Sequence, residues 1–70
     1  MQDATNPKHY TVLKIEPIDF IEANELDFNI GNVVKYVSRY KGKNGIEDLK
    51  KARWYLDREI ERLENGTINS

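Results

Sequence analysis

Asn32, Lys35, Tyr36 and Arg39 follow one another at the i, i+3, i+4, i+7 spacing that gathers side chains on one face of a helix. Those four types suit a ligand with a phosphate and a flat ring. Lys35 and Arg39 can meet phosphate oxygens, Arg39 in a bidentate fork. The Tyr36 ring can stack on a base or donate its hydroxyl, and the Asn32 amide carries the donor and acceptor that read a nucleobase edge. Gly31, just inside the helix start, lets a backbone or a ligand come close. The structural alternative is that Tyr36 packs on a neighbour while Lys35 and Arg39 pair with carboxylates.

A second mixed face follows downstream. Glu47, Lys51, Trp54 and Arg58 share one side of a helix, flanked by Asp48 and Tyr55. Lys51 is a third candidate cation for phosphate. Trp54 stands off the apolar stripe, and a large indole there is expected to cover an N-terminal arm, a partner chain or a planar ligand. Glu47 and Asp48 fit best as first-turn acids that complement the helix dipole. Near the N-terminus, Pro7-Lys8-His9-Tyr10 brings an imidazole and a phenol together, and a lone histidine there is more often a surface or packing residue than a ligand contact.

The residue inventory argues against catalysis by this chain alone. It has no GxxxxGK[ST] phosphate loop, no HExxH pair and no calcium loop. Neither Ser38 nor Ser70 has the context of a nucleophile served by His9. No catalytic residue, cofactor or resident metal is expected, and Mg²⁺ would enter only in an enzyme that held it through Asp48 or Glu47. With no cysteine, disulfides and thiolate zinc sites are excluded.

Seventy residues make one small domain, 1–70, with a polar arm at 1–9 and a polar tail at 65–70. A chain of this size buries only about 60% of its unfolded surface and usually needs a supplement. Without disulfides or a metal, that supplement is expected to be further copies of itself. The net charge of −1 conceals an uneven distribution. Residues 32–54 hold seven Lys or Arg against two acids, and the rest holds four against ten. A basic patch on a mildly acidic chain favours a compact anion over a long nucleic acid. No apolar run approaches a membrane span and the first residues have no hydrophobic signal region, so no membrane partner is expected.

These side chains need helices to position them. Glu16-Pro17 can open a short helix over about 17–26, proline being tolerated in the first turn. Asp27 or Asn29 can cap a second helix of about 29–41, with Ile30, Val33, Val34, Val37 and Tyr40 as its core stripe. Gly42 stops it. Asn44 and Glu47 are spaced as a capping box for a third helix of about 46–64, closed by Asn65-Gly66. Its core stripe reads Leu49, Ala52, Leu56, Ile60 and Leu63. The expected fold is all-α: a hairpin of the second and third helices, braced by the first helix and an extended N-terminal arm.

The string Pro7-x-His9-Tyr10, Glu16-Pro17-Ile18-Asp19, Phe28-x-x-Gly31-Asn32-x-x-Lys35-Tyr36-x-x-Arg39 and Glu47-Asp48-Leu49-x-Lys51-Ala52-x-x-Tyr55-Leu56 resembles a small phage-encoded domain family. That family was long catalogued as one of unknown function. It is similar to the segment found in a phage nucleotide kinase that lacks a P-loop. The likeness spans about residues 7 to 60. It implies a viral protein of the infected bacterium's cytoplasm that binds or acts on nucleotides through Asn32, Lys35, Tyr36 and Arg39. His9, Tyr10, Asp48, Lys51 and Tyr55 are further candidates on the same ground. By functional analogy, compact helical phage proteins of this size assemble and sequester nucleotide messengers of host antiviral defence. The expectation is therefore a homo-oligomeric nucleotide-sequestering protein. A nucleoside monophosphate kinase, or a module that blocks a host factor through Trp54, is the alternative.

Overall fold

The computed structural model describes residues 13–69, with side chains to residue 66. Three helices follow in order: α1 (Pro17–Ala23), α2 (Phe28–Arg39) and α3 (Ile46–Asn69). There is no strand among the described residues. The all-α hairpin expected from the periodicity is the observed fold. α3 packs against α2, and α1 packs against α2 alone.

The ends of the helices follow local chemistry. Pro17 opens α1 without a side-chain cap. The helix ends at Ala23, three residues before the expected stop, and Glu25 follows in the left-handed region at φ 52°. Asp27 is the cap of α2: its Oδ1 accepts from the Ile30 N–H at 2.9 Å. α2 ends at Arg39 rather than 41. The Gly42 N–H reaches the Arg39 carbonyl at 3.0 Å, and the Gly45 N–H reaches that of Tyr40 at 2.8 Å. Gly45, at φ +57°, makes the reversal that starts α3.

Two expectations about α3 need correction. The acid that fastens its start is Asp48 and not Glu47, since one Asp48 oxygen accepts from the Asn44 N–H at 3.1 Å. The helix also continues through Asn65-Gly66 to Asn69. Gly66 has nothing within 4 Å of where a Cβ would stand. A glycine stops a helix only if the chain is drawn into a left-handed turn there, and no packing element draws it.

Contacts between α2 and α3 pair Asn29 with Glu59, Tyr36 with Tyr55 and Arg39 with Asp48. The rising numbers of one helix meet the falling numbers of the other, so the hairpin is antiparallel. These contacts also modify the expected division of α2. Its polar and aromatic row touches α3, while in the expected core stripe Val33 and Val34 are half-buried and Val37 is 43% exposed. Behind α2, Gly31 lets α1 approach: a Cβ there would sit 3.2 Å from the Ile21 side chain.

The stripe on α3 divides in the same way. Ala52, Asp48 and Glu59 turn towards α2 and are buried. Leu56, Ile60 and Leu63, roughly a quarter of the helix circumference away at 100° per residue, are 43%, 46% and 55% exposed. Following the two helical wheels round the antiparallel pair, Val33 and Val37 of α2 turn to the same side as Leu49, Leu56 and Ile60. Lys35 and Lys51 turn to the opposite side. The hairpin thus has an apolar face and a cationic-aromatic face. The described chain measures 48 × 27 × 14 Å, one helix thick, and Ala52 is its buried apolar residue.

Candidate functional site

The cationic-aromatic face is organised around two tyrosines. Tyr36 from α2 and Tyr55 from α3 stack with ring centroids 6.0 Å apart and planes 13° from parallel. Tyr55 is met at its edges by Phe28, 5.9 Å away, and by Trp54, 5.0 Å away. Trp54 is 57% exposed and Phe28 is 74% exposed. The Arg58 guanidinium stands 5.6 Å from the Trp54 ring centre.

Three cations converge on Tyr36. Lys35 Nζ lies 4.9 Å, Arg39 Cζ 4.8 Å and Lys51 Nζ 5.4 Å from the ring centre. Two come from α2 and one from α3, so the hairpin itself assembles the cluster. A ring quadrupole attracts cations but does not neutralise them. The charge that faces them is the carboxylate of Asp48. Arg39 Nε is 3.4 Å from Asp48 Oδ2, and Arg39 Nη2 donates to Oδ1 at 3.4 Å. Lys35 and Lys51 take part in no ion pair among the described residues.

Asp48 is wholly buried. Burial alone would raise its pKa. Hydrogen bonds from the Asn44 backbone and side chain and from Arg39, with the Arg39 charge, outweigh burial, and the net shift is downward. Its carboxylate is committed to fastening the α3 start and holding Arg39, so it acts from behind the cluster. Metal ligation through Asp48 would require breaking those bonds, and no group of three or more potential metal-ligating side chains occurs among the described residues.

Asn32 is placed beside this cluster, half-buried, with its Nδ2 donating to the Phe28 carbonyl at 2.9 Å. That leaves its amide oxygen for another partner. His9 and Tyr10 lie outside the described residues. A hollow lined by Arg58, Glu61, Arg62 and Asn65 sits further along α3. Arg58 is two turns, about 10 Å, beyond Lys51, so this concavity does not adjoin Tyr36.

A buried polar bridge was missed by the sequence reading. Asn29, a candidate cap from its type, instead donates from Nδ2 to Glu59 Oε1 at 3.0 Å. Arg62 holds the same carboxylate through Nε to Oε1 at 3.1 Å and Nη2 to Oε2 at 2.6 Å. Hydrogen bonds from Arg62 and Asn29 draw the Glu59 pKa down from 4.5 to about 2. The spacing held a signal. Asn29 and Tyr36 are seven apart on α2, as Ala52 and Glu59 are on α3, so each pair repeats on one row.

Fold and site together define a small helical-hairpin protein with a cation-ringed tyrosine stack on one face. The chain belongs to the DUF3310 family, described as a protein of unknown function, whose model matches residues 4–57. No curated protein and no solved structure matches it. No helix among the described residues is long and apolar enough to cross a membrane.

Proposed function

We propose that this protein binds a small phosphorylated nucleotide on its cationic-aromatic face as part of a homo-oligomer, and that in an infected bacterium it sequesters a signalling nucleotide without turning it over. The observation that carries the reading is the convergence of Lys35, Arg39 and Lys51 within 5.4 Å of one tyrosine ring, with a single committed carboxylate behind them. Two lysines without ion-pair partners among the described residues are a ready seat for phosphate, and charge-assisted bonds to them strengthen as water is excluded. Tyr36 already stacks on Tyr55, so the exposed Trp54 is the ring left to stack on a base. Asn32 reads the base edge through its remaining oxygen. A chain 14 Å thick cannot enclose a ligand by itself, so the far wall of the site comes from another copy.

The test is calorimetry with a panel of cyclic and ADP-ribose-type nucleotides on wild type and on a Lys35→Ala/Lys51→Ala variant. Wild type should bind at least one member, and removal of the two lysines should weaken it by roughly tenfold or more per lysine. Ligand recovered intact after denaturing the complex marks sequestration. Conversion of the ligand would instead favour the kinase alternative, and no binding across the panel would refute the nucleotide reading.

A further inference from the structure

The apolar face of the hairpin offers an interface whose partner is written in its charges. Along α3, Ile46, Leu49, Leu56, Ile60 and Leu63 fall on the alternating 3-4 repeat of a coiled-coil seam, which skips position 53, where an arginine stands at its outer edge. Leu56, Ile60 and Leu63 are substantially exposed, and α1 packs only on α2, so no described helix covers the seam. On the flank of the seam away from α2 stand Lys50, Arg53, Asp57, Glu61 and Glu64, all exposed. The flank is basic in its first half and acidic in its second.

We propose that two copies of this chain pair through this face, α3 against α3 in antiparallel orientation. Antiparallel pairing brings the same flank of both helices together. With the two-fold axis passing near residue 57, Lys50 faces Glu64 of the second copy and Arg53 faces its Glu61. Symmetry makes that four opposite-charge pairs. They outnumber the one like-charge meeting, of the two Asp57 carboxylates at the axis, each with Arg53 one turn before it. A parallel pair would instead set this flank beside the opposite side of the other helix, where α2 packs, and leave its charges unmatched. Matching of polar flanks is how such pairs select orientation. The α3–α3 arrangement also sets Val37 beside the joint core and turns both cationic-aromatic faces outward. A ligand held between chains is then held between dimers, and the assembly has an even number of copies. The pairing rests on the self-association in the functional reading and not on its ligand.

The experiment is sedimentation equilibrium without nucleotide, with helical content followed by circular dichroism. Wild type should associate. K50E/R53E, which makes the flank wholly acidic, and E61K/E64K, which leaves Asp57 as its one acid, should each associate at least tenfold more weakly. The four-fold variant K50E/R53E/E61K/E64K should recover self-association yet fail to mix with wild type, which a merely unfolded variant could not do. Wild type that stays monomeric at every concentration overturns the proposal. Half-reversals that pair as well as wild type, or a four-fold variant that mixes freely with it, overturn the antiparallel orientation. Nucleotide binding is measured separately, so loss of one conclusion leaves the other standing.

Discussion

Replacing Asn29 with alanine should destabilise the protein more than its modest size suggests. The side chain is 9% exposed and gives one hydrogen bond, 3.0 Å long, to the Glu59 carboxylate. A hydrogen bond to a charged group contributes about 1.5–3 kcal/mol, and Glu59 loses a donor in a place where water has little access. For a domain of 60–100 residues, 1 kcal/mol moves Tm by about 4–8 °C, so the expected fall is about 6–24 °C. Asn29→Asp should be worse, since it sets a second carboxylate at hydrogen-bond distance from the first. The assay is thermal unfolding followed by circular dichroism at one fixed protein concentration. A double-mutant cycle with Glu59→Gln isolates the coupling between the two positions. A fall in Tm of under about 2 °C for Asn29→Ala, or no coupling in the cycle, would refute the claim that this bridge ties α2 to α3.

Two further outcomes follow from named groups. The Glu59 pKa is lower in the folded chain than in the unfolded one, so its contribution is present above 4.5 and is lost as pH falls from there towards 2. The depressed pKa of Asp48 acts with the same sign from its ordinary 3.8 downward. Urea midpoints measured between neutral pH and pH 2 should therefore decline in that window, and Glu59→Gln should flatten the decline. At Gly45, φ is +57° with open space around the position, so Gly45→Ala meets no neighbour but bears the left-handed strain of an L-residue. Its cost should be about 1–2 kcal/mol, read from chemical denaturation.

Much of this fold is visible in the chain because strong local signals agree. Pro17 after Glu16, Asp27 three residues ahead of the apolar repeat that begins at Ile30, and Gly42 and Gly45 around a turn place three helices within a few residues of most of their observed ends. The misplaced end, at Asn65-Gly66, shows the limit of such signals. Glycine permits a stop, but tertiary contacts decide whether it is used. The larger misreading concerned how fully this chain covers the aliphatic stripe of α2. Hydrophobicity assigns the inside to Val33, Val34 and Val37, yet Val37 is 43% exposed and the buried link to α3 is the polar one from Asn29 to Glu59. The wheel itself was right. What failed was the assumption that a single chain must bury all of its most apolar row against itself. The candidate site follows the same pattern: the sequence brought Lys35, Tyr36, Arg39, Lys51, Trp54 and Tyr55 together by type. The alternative that Tyr36 packs on a neighbour and Arg39 pairs with a carboxylate is what the contacts show for those two residues, but that the carboxylate would be the buried Asp48 depends on how closely the α3 start folds under α2.

The 14 Å thickness of the hairpin bears on how its stability must be measured. If a sheet of two helices can dry its oily side only by meeting a twin, then folding and meeting are one equilibrium. Dilution becomes a denaturant, and a melting temperature means little until the amount of protein in the cuvette is stated.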